Sequence, residues 1–149
     1  NYRNFLRATH LCNNDGREKA IAFKRAVFNV VFNNREKKKK NFSFLMCQNG
    51  QWKLAPAYDV TFCEGPGGYH QMDIMGEALD IPRQAIVKLG TQEADLSVQE
   101  VDEIISSICG VAIRFSRIAH NLLPEQIRSE TLQMIQGRIE NNICLLTKK

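Results

Sequence analysis

In the segment Asn34-Arg35-Glu36-Lys37-Lys38-Lys39-Lys40-Asn41, an acid is followed five residues later by an asparagine. Phosphoryl-transfer enzymes use that spacing to set two tasks side by side: a carboxylate accepts the proton of an attacking hydroxyl, and an amide oxygen holds a magnesium ion that bridges nucleotide phosphates. Those loops carry aspartate at the first place. Glu36 is one methylene longer, and a positioning error of about 1 Å can cost on the order of a hundredfold in rate. The segment therefore reads as an altered or lost phosphotransfer site, weak at best. The four lysines that follow Glu36 read, taken singly, as a solvated loop tip.

These residues need elements to hold them. Residues 17–32 follow the turn signal Asn13-Asn14-Asp15-Gly16 and place Ala20, Phe23, Val27, Val30 and Val31 at helical spacing. Ile21, Phe28 and Phe32 add apolar side chains elsewhere around this helix, so it should lie in the core and carry the polar loop 33–41 rigidly. The period then switches to two. Phe42, Phe44 and Met46 alternate, Asn49-Gly50 signals a turn, and Trp52 and Leu54 alternate after it, which predicts a short β-hairpin ended by Pro56. From Ala57 to Gly76 the chain has no helical period and contains Gly65, Pro66, Gly67 and Gly68, which predicts an extended, mobile loop.

Helical patterning returns downstream. Pro82 opens a predicted helix through about Leu89, and Ser97 with Glu100 forms a capping box that starts a long one. Its stripe runs through Val101, Ile104, Ile105, Ile108, Val111, Ala112, Phe115, Ile118 and Leu122. Pro124 is expected to open the last helix, with Ile127, Leu132, Ile135, Ile139, Ile143 and Leu146 on one face and Lys148-Lys149 placed favourably against the helix dipole. The fold class is mainly α, with one hairpin between two polar loops.

At 149 residues the chain fits one domain around a single core. Its 44% hydrophobic and 24% charged content excludes wholesale disorder. The net charge of +4 owes much to Lys37, Lys38, Lys39 and Lys40, so it describes a local basic patch. A nucleic-acid-binding module using this run ranks last among the functions, because no aromatics are interleaved with it. Cys12, Cys47, Cys63, Cys109 and Cys144 form no C-x-x-C pair and read as reduced thiols in a cytoplasm, with Cys144 the clearest candidate for a buried one. There is no signal peptide pattern and no apolar run near the ~20 residues of a membrane span. His10 and His120 have no partners at useful spacing, and His70 reads as a loop-orienting or simply hydrogen-bonded histidine.

The blocks Phe28-Asn29-Val30-Val31-Phe32, Asn34-Arg35-Glu36, Lys40-Asn41-Phe42-Ser43-Phe44-Leu45 and Trp52-Lys53-Leu54-Ala55-Pro56-Ala57-Tyr58-Asp59 together resemble the C-terminal lobe of HipA-like serine/threonine kinases. Those are bacterial toxins of toxin–antitoxin modules. The similarity spans essentially the whole chain, 1–149, as a single lobe. The resemblance implies ATP and Mg2+ as cofactors of the full-length protein, with none held by this lobe alone. It assigns Asn41 and Asp59 as magnesium and nucleotide-site ligands, Asp59 in the role of the D-F-G aspartate. A carboxylate and an amide at the two ends of a hairpin also suit a hard cation completed by phosphate oxygens.

Where the family has Asp-Asp-His, this chain has Glu36-Lys37-Lys38. Glu36 takes the place of the catalytic acid, and Lys38 falls where protein kinases commonly put a lysine that contacts the transferring phosphate. The resemblance further implies an antitoxin partner, contact with DNA only through that antitoxin, a cellular protein substrate such as an aminoacyl-tRNA synthetase, no membrane, and a cytoplasmic setting. No glycine-rich loop or β3 lysine precedes Glu36, so an N-terminal kinase lobe is expected from elsewhere. The alternative class is a catalytically inactive pseudokinase or protein-binding scaffold.

Overall fold

The computed structural model describes residues 1–13 and 15–148. Asn14 of the expected turn and Lys149 of the expected helix-end pair lie outside the described residues. Six helices and one hairpin follow in order: α1 (Tyr2–Asn13), α2 (Gly16–Val31), β1 (Phe44–Met46), β2 (Trp52–Leu54), α3 (Arg83–Glu93), α4 (Val98–Ala112), α5 (Phe115–Leu122) and α6 (Ser129–Thr147). No helix among the described residues is long and apolar enough to cross a membrane.

Helix α2 is the centre of the core, as its wide apolar surface predicts. Phe23, Ala26, Val27 and Val31 are fully buried, and α1, α3, α4 and α6 all pack on it. Asp15 caps its N-terminus by accepting from the Arg17 backbone N–H at 2.9 Å. The hairpin forms in the expected alternation, with Phe44 opposite Leu54, Leu45 opposite Lys53 and Met46 opposite Trp52. Its inner residues reach the core: Leu54 is buried, and the Phe42 ring lies 3.9 Å from that of Phe5. Glu18 of α2 accepts from the Leu54 N–H at 2.7 Å, fastening β2 to the central helix.

Three expectations fail in the second half. The predicted single helix from Ser97 breaks at Ile113 and Arg114, where α4 ends and α5 begins. The capping box at Ser97 and Glu100 forms as predicted. The break is stabilised from α6: the Gln136 side chain donates to the carbonyls of Ala112 and Ile113 and accepts from the Ser116 N–H at 2.9 Å. Groups that the helix would have paired internally are thus paired by a neighbour. The apolar stripe continues into α5, but no α5 residue is buried and Leu122 is 73% exposed. Periodicity marks an apolar side of a helix without saying that anything covers it.

Pro124 does not open the last helix. The Gln126 N–H donates to the Leu123 carbonyl, so Pro124 is the second residue of a tight turn, a place its fixed φ favours, and α6 starts at Ser129. The buried side of α6 holds Leu132, Ile139 and Leu146 as expected, together with two polar residues, Gln136 and Asn142. Cys144 is exposed, contrary to expectation, and Cys109 is the buried thiol. An apolar local run could not say which face of α6 the cysteine would occupy.

The 57–76 loop is irregular, with only a 3-10 turn at Pro66–Gly68, yet it is tied down. Met72 and Ile74 enter the core, and Gln71 N–H donates to the Arg35 carbonyl at 2.8 Å.

Candidate functional site

The loop leaving α2 is anchored by amides. The Asn34 backbone N–H donates to the Asn29 carbonyl at 2.8 Å and its side chain donates to Asn29 Oδ1 at 3.0 Å, while Asn29 in turn donates to the Tyr2 hydroxyl at 2.9 Å. Burial holds the Tyr2 phenol well above its usual pKa, an effect that the Asn29 hydrogen bond opposes. Asn33 adopts a left-handed φ of +56° and is buried. Asn142, from α6, donates to the Val30 and Val31 carbonyls and to Asn33 Oδ1 at 3.0, 3.3 and 3.1 Å. Asn33 and Arg35 also exchange backbone hydrogen bonds with Cys63, joining the two polar loops. The Arg35 guanidinium donates to Asn33 Oδ1 at 2.9 Å and to the Gly68 carbonyl.

Asn41 and Asp59 meet. Asn41 Nδ2 donates to Asp59 Oδ2 at 2.5 Å, although the two residues are 18 apart in sequence and separated by the hairpin. Asn41 Oδ1 accepts from the Lys38 N–H at 3.0 Å, which fixes the amide with its nitrogen toward the carboxylate. Asp59 sits at φ +51°, in the left-handed region that aspartate enters at a cost. Around the pair, the Tyr58 hydroxyl shares a hydrogen bond with Ser43 Oγ at 2.6 Å and donates to the Lys40 carbonyl at 3.0 Å.

Lys37 departs from the solvated tip expected of the lysine run. It is 4% exposed, and its Nζ donates to the Tyr58 carbonyl at 2.8 Å and to the Asp59 carbonyl. Burial pushes its pKa below the usual lysine range, and the nearby Asp59 charge opposes that shift. Lys38, Lys39 and Lys40 are exposed, as expected of that loop. Nothing in a run of four lysines distinguishes the one that turns inward, so pattern alone could not have found it.

Glu36 is exposed on the same loop and is engaged by the Cys63 thiol, whose Sγ donates to Glu36 Oε2 at 3.6 Å. Among the described residues the carboxylate hydrogen-bonds to Cys63 and not to Asn41 or Asp59. His70 is buried, with its pKa lowered to about 4 by burial and by the Arg35 charge. His10 and His120 are exposed, as expected.

A groove of about 690 Å³ runs between α2, α4 and the polar loops, lined in part by Ile21, Phe28, Val60 and Ile104 and reaching Lys37 and Asn41. That volume lies in the range of small-molecule sites. No group of three or more histidine, cysteine or acidic residues among the described residues could hold a metal. Asp59 and Asn41 therefore suit magnesium only as a shared ion, since magnesium takes one or two protein oxygens and completes its shell with water and phosphate. Because the nitrogen edge of Asn41 faces Asp59, an ion entering between them must open that hydrogen bond.

No curated protein matches the chain in a sequence comparison. A family model, the HipA-like C-terminal domain, matches residues 1–114, from the start of α1 through the α4–α5 break. That match takes in the loop of Glu36 and Asn41, the hairpin, Asp59 and the tied-down segment after it, and so the chain belongs to the HipA-like C-terminal domain family.

Proposed function

We propose that this domain is the lobe of a protein serine/threonine kinase of the toxin–antitoxin kind, supplying the catalytic and metal loops for transfer of the ATP γ-phosphate to a cellular protein. The observation that carries the reading is the convergence of Asn41 and Asp59 at 2.5 Å from opposite ends of the hairpin. In this reading the two would share a magnesium ion with the nucleotide, the ion neutralising phosphate charge as transfer proceeds. Glu36 accepts the proton of the attacking hydroxyl, and Lys38, exposed beside it, meets the transferring phosphate. The groove that reaches Lys37 and Asn41 gives this edge of the lobe a space of ligand size. A nucleotide-holding lobe, an antitoxin and a target such as an aminoacyl-tRNA synthetase belong to the same proposal.

Glu36 sets the expected level of activity. Its side chain is one methylene longer than aspartate, and its carboxylate is bonded by the Cys63 thiol at 3.6 Å. This observation favours a second reading, a pseudokinase that keeps the lobe as a scaffold. Phosphate transfer by the full-length gene product separates the two. The kinase reading expects Glu36→Asp to raise transfer by tenfold or more and Asp59→Asn to reduce it at least about a hundredfold, the size of effect seen when a charge-stabilising group is lost. Transfer that is indifferent to Asp59→Asn would remove the assigned site. No transfer from either wild type or Glu36→Asp would leave the scaffold.

A further inference from the structure

We propose that Lys37 is a positioning residue for the metal loop, its buried ammonium holding the Tyr58–Asp59 backbone in the turn that presents the Asp59 carboxylate to Asn41. This role rests on the metal reading above. Lys37 occupies a place where the family pattern has an aspartate, so the role belongs to this chain's own residues.

A lysine head is seldom withdrawn from water unless its donors are met, and Lys37 is 4% exposed. Two of its three N–H donors are met by consecutive carbonyls, those of Tyr58 and Asp59. Consecutive carbonyls can face one donor only where the chain turns, and Asp59, at φ +51°, makes that turn. A non-glycine residue in this region is strained and persists only where its surroundings hold it there. The other supports are local. The Tyr58 hydroxyl fixes its ring against Ser43 and the Lys40 carbonyl, and Asn41 meets the Asp59 carboxylate, but Lys37 alone among these side chains grips the main chain of the turn. Charge-assisted hydrogen bonds of this kind are stronger than neutral ones.

Removing the ammonium should free the turn. If the binding conformer then falls to about a tenth of the population, apparent magnesium affinity falls about tenfold. Simple loss of a positive charge would do the opposite, because a cation binds more readily where a neighbouring cation has been deleted. The sign of the change therefore separates positioning from electrostatics.

The test uses the whole chain in the presence of ADP, with magnesium binding followed by NMR and backbone protection followed by hydrogen exchange, in wild type, Lys37→Met, Lys39→Met and Asp59→Asn. The expected result is a Kd for Mg2+ raised about tenfold in Lys37→Met and unchanged or lowered in Lys39→Met. Exchange should quicken across residues 57–61 in Lys37→Met while α2 stays protected. Should Lys37→Met fail to fold, Lys37→Gln, which keeps two neutral donors, is read in its place. Unchanged exchange across residues 57–61, or tighter magnesium binding in Lys37→Met, would overturn the proposal. Asp59→Asn judges the metal reading separately: wild-type magnesium affinity in that variant sinks the metal site, whatever Lys37→Met does to the exchange of the turn.

Discussion

Asn33, Asn34 and Lys37 are buried, whereas Glu36, Lys38, Lys39 and Lys40, interleaved with them in the same loop, are exposed. The first set is bonded to α2, α6 and the 57–65 segment through buried amides and one ammonium. The second set has water on most sides. Within one short segment, position is supplied by side chains that turn inward and chemistry is offered by side chains that turn outward. The difference shows how the loop keeps its shape where Glu36 stands in place of the family's aspartate: the groups that shape the loop are separate from the group proposed to accept the proton.

Buried polar groups, in the loop and around it, should dominate stability, and the largest effect is expected with pH. His70 is held neutral by burial, its pKa near 4 in the fold against about 6.5 in an unfolded chain. Between those values the unfolded chain takes up a proton that the folded one refuses, so stability present above pH 6.5 is lost as pH falls. The loss should be about 2 kcal/mol by pH 5 and about 3 kcal/mol by pH 4. Urea unfolding across this range, with His70→Asn as the comparison, should show the pH slope flattened in the variant. An equal slope in both would show that His70 does not carry this acid sensitivity.

Asn142→Leu comes next. It removes a buried donor shared among the Val30 and Val31 carbonyls and Asn33 Oδ1, of which the Val30 carbonyl keeps the Asn33 N–H and Asn33 Oδ1 keeps Arg35, and should cost about 2–3 kcal/mol. Thermal unfolding should move down by roughly 5–10 °C for a chain of this size. A shift near zero would mean that α6 does not support the loop.

The smallest effects belong to the outer set. Lys38→Ala, Lys39→Ala and Lys40→Ala should each change stability by no more than about 0.5 kcal/mol, as exposed substitutions usually do. Any of them matching Asn142→Leu would erase the contrast between the two sets.

Much of this arrangement was legible in the residues, and the remainder has physical reasons for being hidden. The hairpin announced itself by alternation around Asn49-Gly50, and α4 by the Ser97 and Glu100 capping box, because both signals are local. Asn41 was marked by its spacing from Glu36 and Asp59 by the family resemblance, and the structure brings them together. Lys37 could not be singled out, since the turn it grips lies beyond a hairpin and the neighbouring lysines look identical. The α4–α5 break was hidden for a similar reason. Its helix period persists through Ile113, and the partner that stabilises the interruption, Gln136, is more than twenty residues away. Pro124 carried a signal with two meanings, first turn of a helix or second place of a tight turn, and only the Leu123 to Gln126 hydrogen bond decides between them.

The proposed metal site stands or falls on Asn41 and Asp59 acting as one pair. It is tested most directly by following the Asn41 side-chain amide in an NMR titration with Mg2+ in the presence of ADP. The Asn41 Nδ2 resonances and the Asp59 backbone should shift together and saturably as the 2.5 Å hydrogen bond opens, and Asp59→Asn should abolish the shift. Asn41 resonances that stay fixed through the titration, or that move equally in Asp59→Asn, would contradict it.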